Sequence, residues 1–194
     1  MDIAQLAIQV AEKNDENAFK MLFQKFYAGL LSFATSVIKD QQMAEEVVED
    51  VFIKLWENRE TLPTITNLSY YLYVATKHAS LNCIQKRKKD KAVSISGFEE
   101  AFQFGFSNPA SEMITGENLR VIEGAINNLP PRCRLIFRLI KSEGLSYAQV
   151  SSLLNLSIKT IEAQMTIALK KLGENLIYDL SEYMDYFKKK VKGM

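Results

Sequence analysis

Side chains that could contact nucleic-acid bases line one face of segment 144–172, GLSYAQVSSLLNLSIKTIEAQMTIALKKL. Ser146, with Gln149 three residues later, predicts a capped helix start. Asn155 tolerates the left-handed backbone of a tight turn, and Ser157 can cap a following helix. The spacing therefore predicts two helices that cross steeply. The apolar side of the second helix is predicted to comprise Ile158, Ile161, Met165, Ala168, Leu169 and Leu172.

The opposite face of this second helix carries little charge. Its members are Lys159, Thr160, Ala163, Thr166, Ile167 and Lys170, flanked by Glu162 and Gln164. Such small and hydrogen-bonding groups would let the helix enter a DNA major groove, where glutamine suits adenine and lysine suits guanine. An ordinary helical hairpin with this face in solvent is the alternative. If the helix reads DNA, phosphate contacts can come from one helix earlier, from Arg132, Arg134, Arg138 and Lys141.

Residue patterns for catalysis are missing from the sequence. It has no phosphate-cradling glycine loop, no nucleophile elbow and no carboxylate or histidine pair at metal-ligand spacing. His78 is the one histidine, and Cys83 and Cys133 lie far apart in apolar surroundings, which favours buried free thiols. We therefore predict that the chain is not an enzyme and needs no metal or cofactor.

The elements that must position these residues are predicted to be all α-helical, because apolar residues recur at three- and four-residue steps almost throughout. Asp15 is expected to cap the first long helix. A third helix runs from about Leu68 to Lys88, with an apolar side formed by Leu72, Ala75, Ala79 and Cys83. Periodicity fails after Asp90 and returns with Leu119. We predict two small helical domains joined by a flexible linker: 1–89, the linker 90–117, a helix-turn-helix domain 118–175, and a C-terminal extension 176–194 without an assigned function.

Charge is distributed unevenly along the chain, although the net charge is only +1. Residues 1–60 carry a net charge of −5, residues 61–95 carry +5, and residues 96–119 contain four acidic and no basic groups. Different faces are therefore expected to meet different partners. An acidic start without a signal-peptide pattern, and no apolar run long enough for a membrane span, predict a cytoplasmic protein with no membrane insertion.

Three segments in order resemble the two domains of an extracytoplasmic-function (ECF) sigma factor, the small sigma subunits of bacterial RNA polymerase. They are AEEVVEDVFIKLWEN, YYLYVATKHASLNCIQKRKK and LPPRCRLIFRLIKSEGLSYAQVSSLLNLSIKTIEAQMTIALKKL. The resemblance covers about residues 15–175. The LPP and GLSY…V…TIE patterns are most similar to the sigma factors of Bacteroidetes.

The resemblance implies three partners: core RNA polymerase, promoter DNA and an anti-sigma factor. The second helix would dock on the polymerase clamp through Glu46, Glu49 and Asp50. The alternative for these carboxylates is a solvated helix face. Members of the family often carry glutamine at the position of Glu49.

The third helix and the loop before it resemble the part of a sigma factor that melts the minus-ten promoter element. Strand separation needs aromatic groups on which a base can stack and cations that follow the backbone. The residues implied are Asn67, Tyr70, Tyr71, Lys77, His78, Asn82, Lys86 and Arg87, with loop 63–67 as the pocket for a flipped base. Tyr73 is expected to be more buried than Tyr70 or Tyr71. A solvated surface histidine is the alternative for His78, which stands where the family more often has asparagine.

The upstream promoter element would be read by the last helix and its neighbour, through Lys159, Thr160, Ala163, Gln164, Thr166, Lys170, Arg132 and Arg134. Two other classes compete with a sigma factor. A helix-turn-helix regulator would bind palindromic duplex DNA as a dimer without polymerase, and a helical scaffold would bind only proteins. The regulator leaves the tyrosine-rich, lysine-ended third helix unexplained, and the scaffold leaves the Thr160 and Gln164 face without a purpose.

Overall fold

The computed structural model describes residues 2–90 and 117–174, with side chains over 2–87 and 122–174. All regular structure in these two ranges is helical, as predicted. The helices are α1 Ile3–Lys13, α2 Glu16–Ile38, α3 Gln41–Glu57, α4 Leu68–Asp90, α5 Glu117–Asn127, α6 Pro131–Lys141, α7 Tyr147–Leu154 and α8, which covers 158–174. A short 3-10 helix, Arg59–Thr64, connects α3 to the loop before α4. Most of the predicted linker and the whole C-terminal extension lie outside the described residues.

Helices α1–α4 form the amino-terminal module, and side-chain caps fix where its long helices begin. The Asp15 carboxylate accepts hydrogen bonds from the backbone N–H groups of Asn17, at 2.9 Å, and Ala18, at 3.1 Å. This confirms the predicted cap. Lys39 ends α2 in the left-handed conformation, with φ 61°, and Asp40 caps α3 by accepting from Met43 N at 3.2 Å. The two helices are therefore joined without an intervening loop.

The core of the amino-terminal module is built around α2. Leu22, Phe26, Leu30 and Phe33 of this helix are fully buried, facing α3 and α4. The prediction that no apolar run is long enough for a membrane span is wrong for α2, which alone among the described residues is long and apolar enough by composition. More than half of that stretch is buried inside the fold. Burial of this kind is what a core helix shows.

The buried side of α4 differs from the predicted one. Leu72 is buried as expected, but Ala75, Ala79 and Cys83 are only partly buried. Thr76 and Ser80 are fully buried in their place. Small hydroxyl side chains fit the narrow space between packed helices, and a pattern based on apolar residues counts them as polar. The prediction that both cysteines are buried is correct for Cys133 alone.

Helices α5–α8 form the carboxy-terminal module, which contains the predicted helix-turn-helix. Ser146 and Gln149 make the full capping box of α7. Asn155 turns the chain with φ 54°, and the hydroxyl of Ser157 accepts from Thr160 N at 3.1 Å at the start of α8. These features confirm the local predictions for the turn.

The apolar stripe of α8 is narrower than the sequence predicts. Its buried members are Ile161, Met165, Ala168 and Leu172, while Ile158 and Leu169 are exposed. Both exposed residues lie at the margins of the stripe, where helical periodicity alone cannot tell whether a neighbouring element covers them. The remaining four still suffice to hold α8 against the rest of its module.

The two modules pack against each other. One apolar core contains α2 and α4 residues such as Phe33 and Leu72 together with Leu139, Leu145 and Leu153 of the carboxy-terminal module. A smaller core, belonging to the carboxy-terminal module alone, comprises Ala125, Ile126, Leu129, Cys133, Ala168 and Leu172. The first core therefore spans both modules.

We expect Asp15→Ala to lower the free energy of unfolding by about 1 kcal/mol, because two N–H groups at the start of α2 lose their acceptor. Urea denaturation followed by circular dichroism measures the change. Asp2→Ala is the matched control, since Asp2 precedes α1 and makes no side-chain cap bond. Equal losses in both variants would contradict the role of the Asp15 cap.

Candidate nucleic-acid and polymerase interfaces

The outward face of α8 consists of the predicted small and polar side chains. Lys159, Ala163, Thr166 and Lys170 are exposed, and Thr160 is partly buried. The Thr160 hydroxyl lies 2.8 Å from the Ser157 hydroxyl. The arrangement leaves a shallow face that a groove could approach closely.

A hydrogen bond from the interior of the carboxy-terminal module holds the side chain of Gln164 in place. The Cys133 thiol on α6 donates a hydrogen bond to its Oε1 at 3.0 Å, and the glutamine is partly buried. Glutamine pairs with adenine through both its carbonyl and its amide group. The bond from Cys133 uses one of the two lone pairs of the carbonyl oxygen and fixes the orientation of the amide, so both N–H groups and one lone pair are left for a base edge.

The arginines of α6 serve mainly inside the module. Arg134 is only 8% exposed and donates from Nη1 to Asn127 O at 2.6 Å. Burial, followed by the nearby charge of Arg138, lowers the pKa of Arg134. The contact of Arg134 with DNA stays a prediction, and in this structure its guanidinium tethers the end of α5. Arg138 is likewise engaged, with Glu123 Oε2 at 3.0 Å.

Arg132 and Lys141 differ from these two arginines in exposure. Arg132 is partly buried, and Lys141 is exposed. Helix α6 therefore offers fewer cationic side chains for phosphate contacts than the sequence suggests. The helix supplies one arginine and one lysine in place of the four basic residues counted from the sequence.

The tyrosines at the start of α4 differ in exposure as predicted. Tyr73 is 2% exposed and stacks edge-on against Phe33, with ring centroids 5.4 Å apart. Tyr71 is 44% exposed. Tyr70 lies between these extremes, and its hydroxyl is 3.3 Å from the hydroxyl of Ser152 on α7. Tyr71 is therefore the tyrosine of this cluster with the most accessible ring.

The loop before α4 borders a cavity. Asn67 caps α4, because its Oδ1 accepts from Tyr70 N at 2.9 Å. The adjoining cavity, of about 380 Å³, is lined by residues of α1, by Glu143 of the other module and by residues that lead into α4: Leu62, Pro63, Ile65, Thr66, Asn67, Leu68 and Ser69. Asn67 thus has a structural role that by itself accounts for its presence.

Basic and polar groups continue along α4 beyond the tyrosines. His78, Asn82 and Lys86 are exposed. Lys77 is partly buried, and burial lowers the pKa of its amine. Arg87 is tied to the start of α3, with Nη1 3.7 Å from Asp40 Oδ2 and 3.3 Å from the sulfur of Met43.

The acidic face of α3 is open to solvent. Glu46, Glu49 and Asp50 are all exposed. Ile53, one turn further along the same face, is 55% exposed. The sequence analysis did not identify Ile53. Its position outside the apolar stripe of α3 already indicates an exposed side chain. An apolar group beside three carboxylates makes this face suitable for a protein partner.

No cluster of metal-ligating side chains occurs in the described ranges. Both cysteines are free. Burial is the main cause that raises the pKa of each thiol. Such thiols are poor nucleophiles at neutral pH.

Comparisons with known proteins assign both modules. The family described as Sigma-70 region 2 matches residues 22–90, and the family described as Sigma-70, region 4 matches residues 119–172. The ECF RNA polymerase sigma factor SigK of Mycolicibacterium vanbaalenii is 26% identical over 175 residues, covering 87% of this chain and 86% of that protein. The chain belongs to the ECF sigma factors. The ECF RNA polymerase sigma-E factor of Escherichia coli K12 is 21% identical over 168 residues, covering 83% of this chain and 87% of that protein.

Solved structures include a similar sigma factor chain. The sigma factor RpoE of Bartonella quintana, in complex with the anti-sigma factor NepR, is 24% identical with a TM-score of 0.48, covering 83% of this chain and 98% of that one. The match to Sigma-70 region 2, over residues 22–90, includes the tyrosine- and lysine-bearing helix α4, which a dimeric regulator had left unexplained.

We expect Arg134→Gln to lower the free energy of unfolding by about 1–3 kcal/mol, because Asn127 O loses a buried charged donor. Thermal and urea denaturation measure the loss. Lys141→Gln removes an exposed charge of the same helix and should change stability by less than about 0.5 kcal/mol. An Arg134→Gln variant as stable as the Lys141→Gln variant would show that Arg134 is a surface residue.

Proposed function

We propose that this ECF sigma factor binds core RNA polymerase and directs promoter recognition, DNA melting and transcription initiation through separate surfaces of its two modules. One observation carries the proposal. The chain presents an exposed tyrosine at the start of α4 and, on a different module, an exposed low-charge face on α8. Melting a duplex and reading a duplex need these two different surfaces.

Promoter melting is assigned to α4 and its preceding loop. Tyr71 offers an exposed ring for base stacking, and the adjacent cavity beside Pro63 and Asn67 is a candidate pocket for a flipped base. The exposed polar groups His78, Asn82 and Lys86 continue along the helix. Tyr70, Lys77 and Arg87 complete the proposed contacts. Tyr70 and Arg87 would first release Ser152 and Asp40, and Lys77 would become more exposed.

Reading of the upstream element is assigned to α8. The proposed contacts are Lys159, Thr160, Ala163, Gln164, Thr166 and Lys170, with Arg132 toward the backbone. Small side chains at Thr160 and Ala163 permit close approach to base edges, and the lysines supply donors for guanine or phosphate.

Polymerase binding is assigned to α3. Glu46, Glu49 and Asp50 form an exposed anionic row with Ile53 at its end. Interfaces that combine an apolar centre with charged groups around it are common between proteins. We include Ile53 in this surface as an apolar anchor.

We also propose to which branch of the ECF sigma factors the chain belongs, how it is regulated and where it is located. The LPP motif at 129–131 and the GLSY motif at 144–147 support an origin among the Bacteroidetes-type sigma factors. An anti-sigma factor is the proposed regulator, and the cytoplasm is the proposed location. The chain is proposed to act without catalysis of its own.

We expect Tyr71→Ala to reduce promoter-specific transcripts about fivefold or more when the chain is combined with core polymerase from its host, since loss of one stacked base costs about 1–3 kcal/mol. Duplex binding by the holoenzyme should be unchanged. Permanganate reactivity of unpaired thymines in the promoter reports melting directly.

Thr160→Ala is the matched variant on the other surface. It should alter holoenzyme affinity for the upstream element and leave a premelted promoter equally active. If Tyr71→Ala and Thr160→Ala weaken duplex affinity alike and have the same melting yield, the proposed division between α4 and α8 is wrong.

Cys133→Val should change the base preference read by Gln164, because the amide loses the thiol bond that fixes its orientation and can turn its carbonyl and N–H groups together toward a base. Selection of holoenzyme-bound promoters from a library randomised at the upstream element should give more adenine at one position. Cys133→Ser keeps a donor and serves as the control. An unchanged base profile in the Cys133→Val variant would show that Gln164 does not read this position.

A further inference from the structure

Ile167 is an exposed apolar side chain on the outward face of α8, among the residues proposed to read the upstream element. It is 41% exposed, whereas the apolar residues of α8 that face the core are almost fully buried. Helical spacing places it on the same face as Thr160 and Ala163, because it follows them by seven and four residues. A single exposed isoleucine is common on protein surfaces, so its neighbours decide whether it has a partner.

The two threonines of this face have their hydroxyl groups engaged within the helix. The Thr166 hydroxyl donates to Glu162 O at 2.9 Å. The Thr160 hydroxyl lies 2.8 Å from the hydroxyl of Ser157, which also accepts from Thr160 N. These bonds orient both side chains. Each threonine therefore brings a methyl group as well as a partnered hydroxyl to the face that carries Ile167.

Residues that pair most firmly with guanine are missing from this face. Arginine, which binds guanine through two parallel hydrogen bonds, does not occur between residues 158 and 174. On the preceding helix, Arg134 and Arg138 are bonded inside the module. Recognition by α8 therefore depends on small, apolar and amide side chains more than on guanidinium groups.

Lysines border the apolar centre of the face on both sides. Lys159 and Lys170 lie on one margin, Lys171 lies on the other, and all three are exposed. The Lys170 amine is 4.0 Å from a carboxylate oxygen of Glu174, and both side chains are open to solvent, which weakens this pair. Cations around an uncharged centre match a DNA groove, whose edges are phosphates and whose floor is formed by bases.

We propose that Ile167 is a specificity-determining residue, which selects thymine in the upstream element by packing against the thymine methyl group in the major groove. This role rests on the proposed function of α8 in reading that element. Thymine alone among the four bases presents a methyl group in the major groove. Ala163 and the threonine methyl groups lie beside Ile167 and enlarge the apolar surface that the methyl group meets.

Removal of apolar area from water supplies the preference for thymine. Burial of one methyl group corresponds to about fourfold in affinity. Cytosine and the purines present polar atoms at this edge but no methyl group. When an isoleucine packs against such atoms, they lose water and gain no hydrogen bond, which adds to the discrimination.

Gln164 extends the same preference to the neighbouring part of the face. Its amide group suits adenine, and each adenine pairs with a thymine on the other strand. Gln164 and Ile167 are three residues apart, which puts them on adjoining parts of one helix surface. The face as a whole therefore favours A·T pairs.

Leu169 provides a matched control on the same helix. It is 53% exposed and similar in size to Ile167, but it lies at the margin of the buried stripe, on the other side of α8. Residues two positions apart on a helix do not face the same way. Alanine at either position keeps the helix, since it has the highest helix propensity.

Promoters with deoxyuridine in place of single thymines test the contact, because uracil keeps every hydrogen-bonding atom of thymine and lacks only the methyl group. The measured quantity is the affinity of the holoenzyme, formed from the full chain and host core polymerase, for a promoter that it transcribes. We expect deoxyuridine at one position of the upstream element to weaken binding by wild type about fourfold. Ile167→Ala should bind both promoters alike, and Leu169→Ala should match wild type.

5-Methylcytosine provides the converse test at the same position. A 5-methylcytosine·guanine pair returns the methyl group to the major groove without the other atoms of thymine. Wild type should bind this promoter more tightly than one with unmodified cytosine, by a similar factor. Ile167→Ala should not distinguish the two.

Two results would overturn the role of Ile167. One is a thymine-to-deoxyuridine affinity ratio that is the same in Ile167→Ala as in wild type at every position. The other is a loss of transcription in Ile167→Ala that does not depend on the methyl group, which would assign the side chain to a contact with polymerase.

Transcription from the unmodified promoter by wild type tests the proposed function separately. A chain that fails to initiate with core polymerase contradicts the proposed function. An active chain that does not distinguish thymine from deoxyuridine contradicts only the role of Ile167.

Discussion

Burial of one face of α2 is the constraint on which the rest of the structure depends. The stripe from Leu22 to Phe33 forms the surface on which α3 and α4 are placed. Phe33 fixes the ring of Tyr73, which in turn orients the start of α4. Gly29 of the same helix has no side chain, which leaves room for Glu143 of the other module. The acidic face, the tyrosine face and the contact between modules all take their positions from this helix.

Local rules predicted the parts of the structure that depend on nearest neighbours in the chain. The Asp15 cap, the Ser146 capping box and the left-handed Asn155 follow from side chains that reach backbone groups a few residues away. Burial of Tyr73 followed from its place on the helix. Such features need no knowledge of what else packs on the element.

Features set by distant partners could not be predicted in this way. Arg134 carries the same charge as a phosphate-binding arginine, and its burial depends on Asn127 at the end of another helix. The buried side of α4 contains Thr76 and Ser80 because α2 lies close, which no periodicity within α4 reveals. The engagement of Gln164 by Cys133 likewise joins two helices. Each of these required the tertiary arrangement.

Internal use of its arginines limits how tightly this chain can hold DNA alone. Arg134 binds a backbone carbonyl and Arg138 pairs with Glu123 within the carboxy-terminal module, and the net charge of the whole chain is only +1. Affinity for duplex DNA grows with the number of phosphates that a protein neutralises. The proposed base recognition by α8 would therefore depend on being combined with polymerase.

The contact of Arg87 with both Asp40 and Met43 has a mechanical consequence. Asp40 begins the acidic helix α3, and Arg87 lies near the end of α4, so one side chain clamps the two helices at a shared corner. In the free chain this ion pair ties the start of the acidic helix to the far part of α4. Because Arg87 is also a proposed DNA contact, its transfer to a phosphate would release that corner.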